Sequence, residues 1–505
     1  MKISNKRASI LNSLSSILYQ VIIASFSIVN RSFFLQYFGV ELLGLSSTFS
    51  AIITITSLAE TGLGSCVIYR LYKALQKEDN EEINDLVNIA RAYLSTIGII
   101  IIIIAFLFIP LLRFVITGIT LDFNIYVYFI LQVFSTAFSY FGSYKRLLLT
   151  ADKRDFVGKI TDAGCNVVFS LLKIIVCIYM QDYFLYLVLS WIQVVISNII
   201  IQAWCQKLYP FLILEKADLR KIKEMWTDMK NLFWGGVAAY LFSSADNLIL
   251  SVGVSTVAVG YLGNYTTITT TLKTFILNLL LFMGPIIGNE VASPKGETNK
   301  TNDYLRFYDF SLYLVSVLLL VPETVLIQDF VESIWGREYI LNMGIVVLIV
   351  IDQYITIVQD SNGVFMSVTG KFKELKVADG IAAMLNIILS VFFCKLIGLA
   401  GILIGTVVSR GVQWAIKAYY ARKIAILYKY NATRSYIFRI VKETVLFVLL
   451  IVINRTVYSI INIESFWIRF IVGGVISAVM SGGIVLVCGM VNGDTKIIYK
   501  LIRKT

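Results

Sequence analysis

The chain has 505 residues, 58% hydrophobic and only 15% charged, with a net charge of +12. Soluble domains carry about 25% charged residues, so this composition excludes a soluble globular protein. The absence of histidine excludes Ser-His-Asp and Cys-His triads and His-ligated metals, and six scattered cysteines with no CxxC pair indicate neither a disulfide framework nor a zinc site.

A helix needs ~20 apolar residues to cross ~30 Å of hydrocarbon. Fourteen stretches meet that requirement. They run over roughly 10–36, 42–69, 87–112, 121–142, 156–180, 183–205, 229–252, 258–286, 304–328, 340–365, 374–394, 398–420, 436–458 and 465–490. The fold class expected is therefore an all-α polytopic membrane protein with fourteen transmembrane helices. The first stretch is longer than a signal-peptide core and lacks a small-residue cleavage site, so it is read as retained.

Charge sets the expected topology. Positive segments translocate poorly, so cytoplasmic connections keep Lys and Arg. With the N-terminus inside, Lys and Arg crowd the two tails and every second connection. Only Arg113, Arg337, Lys395, Arg455 and Arg469 fall in the outside connections. Both termini are thus expected in the cytoplasm, and the chain in a bacterial cytoplasmic (inner) membrane. The basic residues are spread over eight separate places. Their surplus is a topology and anionic-lipid signal, and no nucleic-acid partner is expected.

The longest connection, roughly 206–228, carries Pro210 and the amphipathic run Lys216-Ala-Asp-Leu-Arg-Lys-Ile-Lys, read as a helix on the membrane surface. It separates an N-terminal six-helix bundle (1–206) from a second one (229–430). The linker is 207–228, and helices 13 and 14 with a basic tail occupy 431–505. The halves look related. Gly44 and the polar Ser46–Thr48 match Gly260 and its polar stretch at an offset of 216, and Asn30-Arg31 aligns with Asp246-Asn247. Lys159-Ile-Thr-Asp162 aligns with Lys376-Val-Ala-Asp379 at 217. A duplicated six-helix unit inserts both copies in the same orientation, the parallel repeat of alternating-access transporters.

Charged residues inside spanning helices cost on the order of 3 kcal/mol each, so they face a bundle interior or a water-filled cavity. The cations here are Arg31, Lys173, Lys273 and Arg410; the acids singled out are Glu60, Asp246, Asp352 and Asp360. Lys273 stands in a helix that is polar over three turns, Asn264-Tyr-Thr-Thr-Ile-Thr-Thr-Thr-Leu-Lys273, which includes Thr270. Asn30, Asn247, Asn264 and Thr270 are read as polar lining of the same path. Lys173 and Arg31 could instead snorkel, and each acid could bind Na⁺, carry a proton or neutralise a nearby cation. A cationic cavity suits an anionic substrate, and phosphate is the commonest partner of Arg and Lys.

Particular motifs add a resemblance. Asn30-Arg31-x5-Tyr37-Phe38-Gly39-x-Glu41-x2-Gly44-Leu45, Leu58-Ala-Glu60-Thr-Gly62-Leu-Gly64, Tyr69-Arg70-Leu-Tyr72 and Asp246-Asn247-Leu-Ile-Leu…Val259-Gly260-Tyr261 resemble bacterial polysaccharide-exporter membrane proteins. These are the Wzx-like O-antigen and capsule repeat-unit flippases of the multidrug/oligosaccharidyl-lipid/polysaccharide (MOP) exporter superfamily. The resemblance implies two six-helix bundles around a central cavity, with two further helices outside. It implies an undecaprenyl-diphosphate-linked oligosaccharide as cargo, Arg31 as a diphosphate-binding residue, and a polysaccharide polymerase and chain-length proteins as partners. No cofactor is implied beyond Na⁺ or H⁺ coupling, and no catalytic or metal-ligating residue. Two other readings remain open: a Na⁺- or H⁺-coupled multidrug antiporter of the same fold, which would want an acidic cavity, and a membrane polysaccharide polymerase. The polymerase is disfavoured because the longest outside loop, about 329–340, is too short to hold a site.

Overall fold

The structure is a computed structural model that describes residues 5–56, 63–119, 124–217, 245–281, 283–292, 298–424 and 430–495. The described residues are helical without strands, as a lipid-embedded backbone demands when each N–H must be satisfied within its own segment. The helices are α1 (Asn5–Thr56), α2 (Leu63–Lys77), α3 (Asn80–Phe108), α4 (Ile125–Ala151), α5 (Asp155–Ile175), α6 (Tyr183–Leu208), α7 (245–253) and α8 (Thr256–Leu279). They continue as α9 (Met283–Ala292), α10 (Thr298–Ile334), α11 (Met343–Val358), α12 (Asp360–Val368), α13 (Phe372–Ile397), α14 (Leu399–Ile424), α15 (Tyr430–Ile460) and α16 (Phe466–Asn492). Among the described residues, ten helices are long and apolar enough to cross a membrane, or eleven if the bent pair α8–α9 is one span. Against the fourteen expected stretches, the first two run together in α1, and most of the seventh lies outside the described residues. This is a multi-pass membrane protein.

The chain forms two compact units, Met1–Gly260 and Tyr261–Thr505. In the first, α1 bends where a loop was expected, at Gly39 (φ 76°, ψ 176°), a conformation open mainly to glycine. Helix α3 starts on an Asp79 cap that accepts from Glu82 N, with Glu81 and Glu82 in its first turn, as the positive end of the helix dipole favours. Further along, Ile97, Ile101 and Ala105 are buried while Ile99, Ile103 and Leu107 are exposed, one face packing on protein and the other meeting lipid.

The start of the linker is held against α3 by two asparagines one turn apart. Asn84 donates to Phe211 O and accepts from Ile213 N; Asn88 donates to Ile213 O and accepts from Glu215 N, all at 3.0–3.1 Å. The expected surface helix at 216–223 lies outside the described residues from 218 onward.

Two glycines permit the closest helix approach in this unit. A Cβ on Gly44 would overlap the Thr256 carbonyl, and one on Gly260 would stand 2.5 Å from Val40 O. The contact is reciprocal: Gly44 to Gly260 and Val40 to Thr256 are both steps of 216, the offset at which the two segments align in sequence. Gly44→Ala is expected to force these backbones apart and cost about 1–3 kcal/mol. Thermal unfolding of the purified protein checks this, and an unchanged midpoint would contradict the close packing.

The second unit is built around a buried cluster in which Tyr354 stacks on Phe447 at 4.2 Å, flanked by Tyr308 and Tyr313. The expected tenth stretch is divided at Gln359 into α11 and α12, so Asp352 and Asp360 lie on either side of a break. A buried charge cluster joins four helices here. Arg422 (α14) and Arg439 (α15) reach the same Asp309 oxygen (α10) at 2.7 and 2.6 Å, and Ser361 (α12) donates to the other at 2.5 Å. Arg422 also lies over the Tyr436 ring, whose hydroxyl accepts from Asn362.

Candidate functional site

In the first unit, two of the predicted cations gather around one tyrosine of α6. Lys173, on α5, donates to Gln193 Oε1 at 3.0 Å and lies 5.5 Å from the centre of the Tyr186 ring. Arg31, on α1, is in electrostatic reach of the same Tyr186. Phe34 and Phe38 pack edge-on against Tyr183 and Tyr186, which holds the tyrosine ring in place. Asn30 follows the same turn, and its Oδ1 is buried without a hydrogen-bond donor among the described residues.

In the second unit, α8, α11 and α14 bring together Lys273, Asp352 and Arg410. Arg410 Nε donates to Asp352 Oδ1 at 2.9 Å, with both side chains largely buried. The charges acting on Lys273 are those same two groups. Among the described residues, Lys273, Arg410 and Asp352 thus form one cluster of mixed charge. Arg410, expected as a cavity cation, is thus also an ion-pair partner, because burial makes an uncompensated charge costly.

Asp360 is drawn elsewhere: it accepts from Tyr308 at 2.6 Å and feels Lys417. Asn264 is fully buried on α8, whereas Thr270 is exposed and its neighbour Thr269 takes the buried position. Asp246 and Asn247 are half-buried on α7. Glu60 lies outside the described residues.

Several polar clusters escaped the sequence reading. Arg146 was counted as a loop charge, yet α4 continues to Ala151 and Arg146 grips both oxygens of Asp162. The available signal was the repeat itself, since Asp162 and Asp379 are its aligned acids. Each is bound from the sixth predicted span of its own half: Asp162 by Ser197, and Asp379 by Gln413 and Lys417. Asp309 went unnoticed near the start of its stretch. So did Glu323, directly after Pro322 in a leucine- and valine-rich run; it is buried, with neither carboxylate oxygen hydrogen-bonded among the described residues.

No family model matches the chain, and no curated protein does. Solved structures do. The lipid II flippase MurJ, in an inward closed conformation, has a TM-score of 0.68 at 13% identity, covering 94% of this chain and 98% of that one. The chain shares the fold of that structure. Two structures described as MOP superfamily transporters are also similar. An inward-facing multidrug resistance MATE family transporter has a TM-score of 0.58 at 13% identity, covering 84% of this chain and 99% of its own. A MOP transporter from Pyrococcus furiosus, described as having a binding pocket of reverse polarity, has 0.54 at 15%, covering 85% and 98%. At such identities the likeness is one of fold.

Proposed function

We propose that the protein is a flippase. It moves undecaprenyl-diphosphate-linked oligosaccharide from the cytoplasmic to the outer leaflet of a bacterial inner membrane, by alternating access, for surface polysaccharide export. The observation that carries this reading is the gathering of buried cations. Lys273 stands within electrostatic reach of the Arg410–Asp352 pair, and Lys173 donates to an amide. Arg and Lys bind phosphate through charge-assisted hydrogen bonds, and a diphosphate suits such a set of cations. The fold shared with a lipid II flippase supports a lipid-linked cargo. A carrier of cationic drugs would need the opposite sign.

In this reading fourteen spans place both termini in the cytoplasm, with two six-helix bundles followed by two further helices. Arg31, Lys173, Lys273 and Arg410 bind the anion, and Asp246 or Asp360 couples the cycle to Na⁺ or H⁺. The experiment is a deletion strain. It is expected to accumulate the lipid-linked glycan, unflipped, on the cytoplasmic face. Accumulation of unpolymerised glycan on the outer face, or normal surface glycan, would overturn the assignment.

A further inference from the structure

A cavity of about 440 Å³ opens inside the first unit, among α1, α4, α5 and α6. Its size falls among small-molecule sites, which span roughly 300–1,000 Å³. Its only ion pair among the described residues is closed on itself. Arg146 meets the two Asp162 oxygens at 2.5 and 2.8 Å, Ser197 donates to Asp162 at 2.5 Å, and Asn198 Oδ1 accepts from Arg146 at 3.4 Å. The cavity therefore carries polarity without net charge. Three lining groups keep unused hydrogen-bonding capacity among the described residues: the Tyr19 hydroxyl, the Asn166 amide nitrogen and the Gln193 amide nitrogen. Ser139 and Ser143 donate back to their own helix, which leaves their oxygens as acceptors.

A membrane-embedded bundle does not aim amides and hydroxyls at lipid. Such a cavity holds water or a ligand that both donates and accepts. It also adjoins the cations. Gln193 lines the cavity and receives the Lys173 ammonium. Tyr186, Gln193 and Ser197, spaced by seven and four, share one face of α6. Tyr186 and Gln193 are about 10 Å apart along that helix, at 1.5 Å per residue.

We propose that this cavity is a saccharide subsite that receives a sugar of the cargo while Arg31 and Lys173 hold its diphosphate. An uncharged lining of mixed donors and acceptors, with Tyr19 and Tyr140 among its residues, matches a pyranose ring and its hydroxyls. The proposal rests on the flippase reading and narrows it to recognition of the glycan by the first unit.

The test uses the full chain in lipid nanodiscs with four probes: undecaprenyl diphosphate alone, and the same carrier bearing an N-acetylhexosamine, a hexose or a hexuronic acid. The wild type is expected to hold at least one glycosylated carrier about tenfold tighter than the bare one, the worth of one or two net hydrogen bonds. A Tyr19→Phe/Asn166→Ala double variant is expected to lose that preference while keeping its affinity for the bare carrier. Equal binding of all four carriers by the wild type would overturn the subsite and leave the flippase reading intact. So would a double variant that still discriminates. No binding of any carrier would overturn the flippase reading itself.

Discussion

Asp309→Ala is expected to destabilise the second unit by about 3–5 kcal/mol, the usual cost of removing one partner from a buried ion pair. Asp309 is 6% exposed as a side chain and is the shared acceptor for Arg422 and Arg439. Without it, two guanidinium groups are left in a nearly dry interior. Arg439 keeps Glu443, at 3.5 Å, and the Tyr436 ring, and Arg422 keeps that same ring. Ser361 also loses its acceptor, so four helices lose their common tie. Asp309→Ala with Arg422→Met should recover part of the loss, because replacing a buried ion pair by apolar groups is often neutral. Thermal unfolding of both variants measures this. A single variant as stable as wild type would show that the cluster does not hold these helices together.

The second large effect concerns transport. Lys273→Ala is expected to leave the protein inserted and folded, because the Arg410–Asp352 pair stays closed without it. What disappears is one cation of the cluster. A charge-assisted hydrogen bond is worth about 1.5–3 kcal/mol, so turnover should fall about 10- to 100-fold. Lys273→Arg should retain most activity, since the charge remains. Arg410→Ala removes the same charge and also breaks the ion pair with Asp352, so it is expected to cost stability as well as transport.

How much of this was readable beforehand varies with the physics involved. Membrane residence and the all-helical class follow from composition, because lipid leaves a backbone few alternatives. The bend at Gly39 was visible only as a break in hydrophobicity; that the helix continues through it depends on one backbone angle. Asp352 and Arg410 were both singled out as costly intramembrane charges, yet their pairing spans 58 residues and no local pattern encodes it. The same holds for Gly44 and Gly260, which the repeat aligned and the fold places in contact. Arg146 was misplaced for a different reason. The apolar stretch ends near residue 142 while the helix runs on to Ala151, because buried polar partners sustain it after hydrophobicity stops. Asp309 and Glu323 were legible by the burial-cost argument itself, as acids inside predicted spans.

The most direct test of the central claim is translocation in sealed vesicles. Purified protein is reconstituted with a fluorescent undecaprenyl-diphosphate-linked saccharide, and the fraction reaching the opposite leaflet is read by an impermeant quencher. Wild-type vesicles are expected to move the lipid-linked saccharide, and Lys273→Ala vesicles to move it about 10- to 100-fold more slowly. Wild-type vesicles that leave the saccharide in its original leaflet, or Lys273→Ala vesicles that match the wild type, would contradict a cationic path for a lipid-linked anion.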